Sequence, residues 1–170
     1  MPDRKTLQRA RRDKQQGKAP TTQAGEFIRE EMEHIRAGKH GARSSKQAIA
    51  IGLSQARRAG VDLPPPARGQ ASSKTRRSAA RAYALGHGAP PRRKTTAKRR
   101  RASTQALRRE SPAAASPQAL SAQAKSAARR RTPDERSASA RKASATKGRS
   151  GRSMAARKGA RSRSAHHSST

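Results

Sequence analysis

Sixteen large apolar side chains are all that this chain of 170 residues has for building a core, and eleven of them precede or abut a run of three prolines, Pro64-Pro65-Pro66. The other 35 hydrophobic residues are Ala, and Trp and Cys are absent. Burying so few large side chains cannot offset the conformational entropy of ordering the whole length. The expectation is a chain that is mostly α-helical where it folds and disordered elsewhere: a small N-terminal helical hairpin followed by a long, basic, disordered tail.

Prolines in a row cannot continue a helix and favour extended polyproline geometry, so a boundary falls there, and the composition changes across it. Residues 1–66 carry 14 basic and 7 acidic side chains. Residues 67–170 carry 28 basic and 3 acidic ones, with Tyr83, Leu85, Leu107, Leu120 and Met154 as their large apolar residues. Three segments follow: a basic arm over 1–21 containing Arg9, Arg11, Arg12 and Lys14, a hairpin over 22–63, and an Ala/Ser/Arg-rich tail over 64–170.

Within the hairpin, Ile28, Met32 and Ile35 recur at i, i+4 and i+7 with Ala24 and Phe27 beside them, which predicts a helix capped by Thr22 and stopped at Gly38. A second helix is predicted from Ser44, which has capping-box spacing to Gln47, as far as Ala59, with Gly60 as its C-terminal cap. A short connector makes the two pack antiparallel or at a steep angle, so Phe27, Ile28, Met32 and Ile35 should meet Ile49 and Leu53. That core is thin for an independent unit, which motivates pairing of two hairpins in a homodimer. The run from Gln47 to Arg58 also resembles a helix-turn-helix, in which Ser54 and Arg57 would read bases. Arg58, however, stands where that motif wants a buried aliphatic residue, and Gly60 leaves barely two turns for a recognition helix. One continuous helix with Gly52 at a packing contact is the plainer reading.

The tail carries helix-start signals at Ser73, Ser116-Pro117 and Thr132-Pro133-Asp134-Glu135. Isolated helices of this length are marginal in water, so helix is expected there on binding a polyanion. Basic clusters punctuate it: Arg76-Arg77, Arg92-Arg93-Lys94, Lys98-Arg99-Arg100-Arg101, Arg108-Arg109, Arg129-Arg130-Arg131, Arg141-Lys142 and Arg157-Lys158. Each would displace condensed counterions from a nucleic acid, a favourable and sequence-independent term. The net charge of +32 and the excess of Arg over Lys, 30 to 12, suit phosphate. DNA is favoured over RNA, because one Phe and one Tyr make no stacking platform.

Other classes are disfavoured. No basic segment has an opposing apolar face for a membrane surface, no apolar run approaches a span, and the start has no signal-peptide core. A soluble, cytoplasmic, nucleoid-associated protein is expected. Without Cys there is no thiolate nucleophile, disulfide or Cys-ligated zinc. His34 and His40 lie near Glu30, Glu31 and Glu33, but no H-E-x-x-H or similar ligand spacing appears, so no metal site, cofactor or catalytic residue is expected. Two alternatives stand beside DNA compaction. In one the hairpin docks on another protein through Phe27, Ile49 and Leu53 with the tail as electrostatic tether, and in the other the chain is an RNA- or ribosome-associated basic protein.

The segment Gly25-Glu26-Phe27-Ile28-Arg29-Glu30-Glu31, the loop Gly38-Lys39-His40-Gly41-Ala42-Arg43-Ser44 and the run Lys46-Gln47-Ala48-Ile49-Ala50-Ile51-Gly52-Leu53-Ser54 resemble a family of small basic proteobacterial proteins. Its members are labelled DNA-binding, plasmid-stabilisation-like or of unknown function. The resemblance covers residues 20–66 closely and implies nucleoid association with no catalytic residues. The tail is similar in composition to bacterial linker-histone-like proteins.

Overall fold

A computed structural model describes residues 2–90 and 96–167 and shows seven α-helices and one 3-10 turn among them. These are α1 (Arg4–Gln15), α2 (Pro20–Arg36), α3 (Ser45–Arg58), α4 (Ser73–Gly86), α5 (Ala97–Arg108), the 3-10 turn Pro112–Ala115, α6 (Pro117–Arg129) and α7 (Pro133–His167). The chain divides into two compact units, Met1–Gln123 and Ala124–Thr170.

The first unit is built around α2 and α3, which start and stop on local chemistry. Pro20 sits in the first turn of α2, where its missing N–H would have had no helical partner. Ser44 caps α3 by accepting the Gln47 amide at 3.2 Å, while the Gln47 side chain reaches back to the Arg43 amide at 3.0 Å. Gly60 ends α3 in the left-handed region at φ 84°, and the Gly60 and Val61 amides close on the Arg57 and Ala56 carbonyls.

Between these caps α3 runs unbroken through Gly52. Ala48, Gly52 and Ala56, spaced four apart, make one buried face. A Cβ placed on Gly52 would lie 2.8 Å from the Ile28 Cα, so the two helix backbones nearly touch there. On one side of this contact Ala48 joins Met32, Ile35, Ala42, Ala114 and Ala115, with Ile28, Ile49 and Leu120 packed against them. On the other, Ala56 joins Ala10, Ala24, Phe27 and Val61, with Leu7, Leu53 and Leu63 against them. Ala56 thus meets the start of α2 and Ala48 its end, an antiparallel pair.

The expected fold, a small hairpin followed by a long disordered tail, is corrected here. Residues 1–21 hold α1, which packs on α2 with Thr6 and Ala10 buried and Arg9 paired to Glu26. The described residues after 64 are largely helical: α4 packs on α3, and the 3-10 turn packs on both α2 and α3. The Gly41 amide donates to the Leu107 carbonyl at 2.8 Å and the Ala42 amide to the Ser111 carbonyl at 3.3 Å. The Ser45 hydroxyl donates to the Ala114 carbonyl at 2.6 Å, and Arg36 Nε to the Ala115 carbonyl at 2.9 Å. A Cβ at Gly41 would run into the Glu110 carbonyl, so this docking needs glycine. Alanines contribute few atoms each, but they let backbones approach, and Ala114 and Ala115 complete a core that a count of large side chains undervalues. Of the apolar residues that motivated a hairpin dimer, Phe27, Met32 and Ile35 are buried within one chain, and Ile28, Ile49 and Leu53 are partly buried.

The second unit is mainly α7. Thr132 and Glu135 exchange amide hydrogen bonds at 2.9 and 3.2 Å, a capping box ahead of Pro133, with Asp134 and Glu135 in the first turn. Gly148, at φ 65°, breaks the helix into two runs. Helix is already formed in the chain alone, which replaces the expectation that it forms on binding.

The Gly52 contact carries a prediction. Gly52→Ala gains about 1 kcal/mol of helix propensity, but the added methyl must push α2 and α3 apart, at a cost of roughly 1–3 kcal/mol. A lowered midpoint in chemical denaturation is expected, and a raised one would contradict the close approach.

Candidate nucleic-acid interface

The expected phosphate-binding residues are carried on short helices and their ends. On α4, Arg77 is exposed and Arg76 half-buried. Lys98, Arg99, Arg100 and Arg101 fill the first turn or so of α5, all exposed, behind the N-cap Thr96. Arg108 ends α5 and Arg109 follows it, both exposed. Arg129 closes α6, Arg130 and Arg131 lead towards α7, and Arg141, Lys142, Arg157 and Lys158 lie along α7, all exposed. Arg92, Arg93 and Lys94 lie outside the described residues.

Two arrangements emerge. Arg100, Arg101, Thr104, Gln105 and Arg108 share one face of α5 and line an open concavity of about 510 Å³. On α7, at 100° per residue, Arg136, Arg141, Lys142 and Lys147 point to all sides of the helix, so no single face is basic. Of the three acidic groups after residue 66, Glu110 faces Arg43 at 3.6 Å and Glu135 is engaged with Thr132.

Base-reading groups are occupied elsewhere. Arg57, which a helix-turn-helix would point at bases, is buried, and its guanidinium donates to the Leu63 carbonyl at 2.9 Å and the Pro64 carbonyl at 3.3 Å. Burial lowers its pKa. The arginine fastens the start of the triple proline to α3. Phe27 is fully buried. The Tyr83 ring stacks on His87 at 3.9 Å and its hydroxyl donates to Asp62 at 2.7 Å, a bond that raises the Tyr83 pKa.

Metal-type donors gather at a second place. Glu31 and His34 are three apart on α2, and His40 comes from the following loop. Their donor atoms lie within 4.8 Å of one another, as do those of Asp3, Glu30 and His34. Burial raises the Glu31 pKa against the opposing pull of His40 and His34. Sequence reasoning weighed these residues and set them aside for want of an H-E-x-x-H spacing, because the third donor, His40, lies across a turn.

Residues 13–67 match a family of unknown function, DUF6496, a stretch that spans α2 and α3 and ends just past the triple proline. No curated protein and no solved structure matches the chain.

Arg57→Ala tests the structural assignment of that side chain. It would leave two carbonyls without their donor, at a cost of about 1–3 kcal/mol, so a lowered Tm is expected. A stable variant with altered base preference would restore the recognition-helix reading.

Proposed function

We propose that the chain binds nucleic acid, DNA in preference to RNA, by sequence-independent neutralisation of phosphates, and acts as a histone-like, nucleoid-associated protein that compacts or bridges DNA. The observation that carries this reading is the charge after residue 66, 28 basic against 3 acidic side chains, with the described members of the basic clusters on the surface apart from the half-buried Arg76.

The start of α5 adds to it. Lys98, Arg99 and Arg100 stand in its first turn with no acidic residue there, at the positive end of the helix dipole, where cations are unfavourable and an anion is favoured. A phosphate would relieve that repulsion and meet the free amides. The all-round basic character of α7 suits a backbone of phosphates more than a pattern of bases. Buried Phe27 and the stacked Tyr83 leave no aromatic platform for unpaired bases among the described residues, which favours duplex. The resemblance of residues 20–66 to proteins labelled DNA-binding or plasmid-stabilisation-like agrees with this reading.

The rival, a hairpin that docks on another protein, has less support. Phe27 is fully buried, and Ile49 and Leu53 pack within the first unit. Among the described residues Met154 is the exposed large apolar side chain. No described helix is long and apolar enough to cross a membrane.

Salt titration tests the proposal. Affinity for a random duplex should fall with salt at a log–log slope near 0.9 per phosphate neutralised. Replacing Lys98, Arg99, Arg100 and Arg101 with Gln should weaken binding uniformly across sequences and make the slope shallower by up to about 3–4. An unchanged slope would remove α5 from the interface, and a wild-type affinity insensitive to salt would defeat the mechanism.

A further inference from the structure

Away from the basic surface, α2, the 38–44 loop and the start of the chain bring five titratable side chains together. Glu31 Oε1 lies 3.7 Å from His40 Nε2. His34 Nε2 lies 3.8 Å from Glu30 Oε1 and 3.7 Å from Asp3 Oδ2. These gaps are too long for hydrogen bonds, yet the Glu31–His40 gap approaches the about 3.3 Å that separates ligand atoms in a tetrahedron with bonds of about 2.0–2.1 Å, and a donor atom of His34 lies within 4.8 Å of both.

A second observation concerns hydrogen bonding. Glu30 and Glu31 are only 2 % and 1 % exposed, and Glu30 Oε2 and Glu31 Oε1 are buried without a hydrogen-bond partner. The other oxygen of each carboxylate is held: Glu31 Oε2 accepts from Gln55 Nε2 at 3.2 Å, and Glu30 Oε1 accepts from the Asp3 amide at 2.7 Å. Gln55 therefore fixes the Glu31 carboxylate with its free oxygen towards His40. Buried acceptors are seldom left unpaired, and the unpartnered Glu31 Oε1 facing the His40 imidazole calls for a cation.

We propose that Glu31, His34 and His40 bind a divalent cation of borderline hardness, Zn²⁺ being the natural probe, with the Glu30 and Asp3 carboxylates flanking the His34 ring. Two imidazoles and a carboxylate select against Mg²⁺ and Ca²⁺, which prefer oxygen ligands throughout. Three protein ligands leave a fourth position for water, and carboxylates against a ligating histidine are the usual outer support of such sites. The cation would join α2 to the loop whose Gly41 and Ala42 amides hold Leu107 and Ser111. Occupancy would thereby stiffen the anchor of α5.

The test uses the full chain, stripped with chelator and titrated with Zn²⁺ and with Co²⁺. One ion per chain is expected, with visible d–d absorption from Co²⁺ and a higher Tm on loading. Glu31→Gln and His40→Gln should each weaken binding about tenfold or more. His40 is on a loop and partly exposed, so His40→Gln should keep the metal-free Tm of the wild type, and it carries the test if Glu31→Gln fails to fold. The remaining histidines are controls: His87→Gln and the double variant His166→Gln/His167→Gln should bind as the wild type does. Absence of one-to-one binding, unchanged affinity in His40→Gln, or loss of binding in either control would overturn the proposal.

Discussion

The near-contact of Gly52 with the backbone of Ile28 sets the rest of the first unit. Helices that close cannot be wedged by bulky side chains, so α3 offers Ala48, Gly52 and Ala56 along the seam and places its larger residues, Ile49 and Leu53, to either side. Two small clusters form in consequence, one at each end of the crossing. Neither has enough atoms from α2 and α3 alone. α1 brings Leu7 and Ala10 to one, and the 3-10 turn brings Ala114 and Ala115 to the other. A segment with the composition of a disordered tail is held because its small Ala114 and Ala115 fit against close-packed α2 and α3.

That packing also explains what could be read from the chain and what could not. Local signals were legible: Ser44 with Gln47, Gly38 and Gly60 after their helices, and Thr132 with Glu135 all state where helices begin or end, and each acts within a few residues. The division at the triple proline was legible as a change of composition, but not as a limit of folding. Its meaning depended on Arg57, whose buried guanidinium ties Leu63 and Pro64 back to α3, and on Tyr83, which reaches Asp62 from α4. A core of alanines is hard to see because alanine is equally at home in a solvated helix. Only the partner backbone distinguishes the two, as at Gly41 against Glu110, and that partner is some 70 residues away. The Glu31–His34–His40 cluster was half legible in the same sense, since the helical pair is local and the third donor depends on the turn at Gly38.

Charge is distributed by the same logic. In the first unit Asp13, Glu26, Glu30 and Glu31 are drawn into buried or half-buried pairs with Lys18, Arg9, His34 and His40. They serve the packing of α1 on α2 and of the loop on α2. Beyond Pro66, Glu110 is engaged in a loop contact and Glu135 in a cap, and most of the described cations are exposed, on helices with little apolar surface to bury. Folding and the proposed polyanion binding thus draw on different residues.

The central claim is that residues beyond the triple proline are part of the folded first unit. Amide hydrogen exchange at Gly41 and Ala42 tests it most directly, because these amides donate to Leu107 and Ser111. In the full chain both should exchange slowly, as slowly as an interior amide of α3 such as that of Gly52, and in a chain ended at Pro66 both should exchange as fast as an open loop. Fast exchange in the full chain, or equal protection in the two chains, would contradict the account.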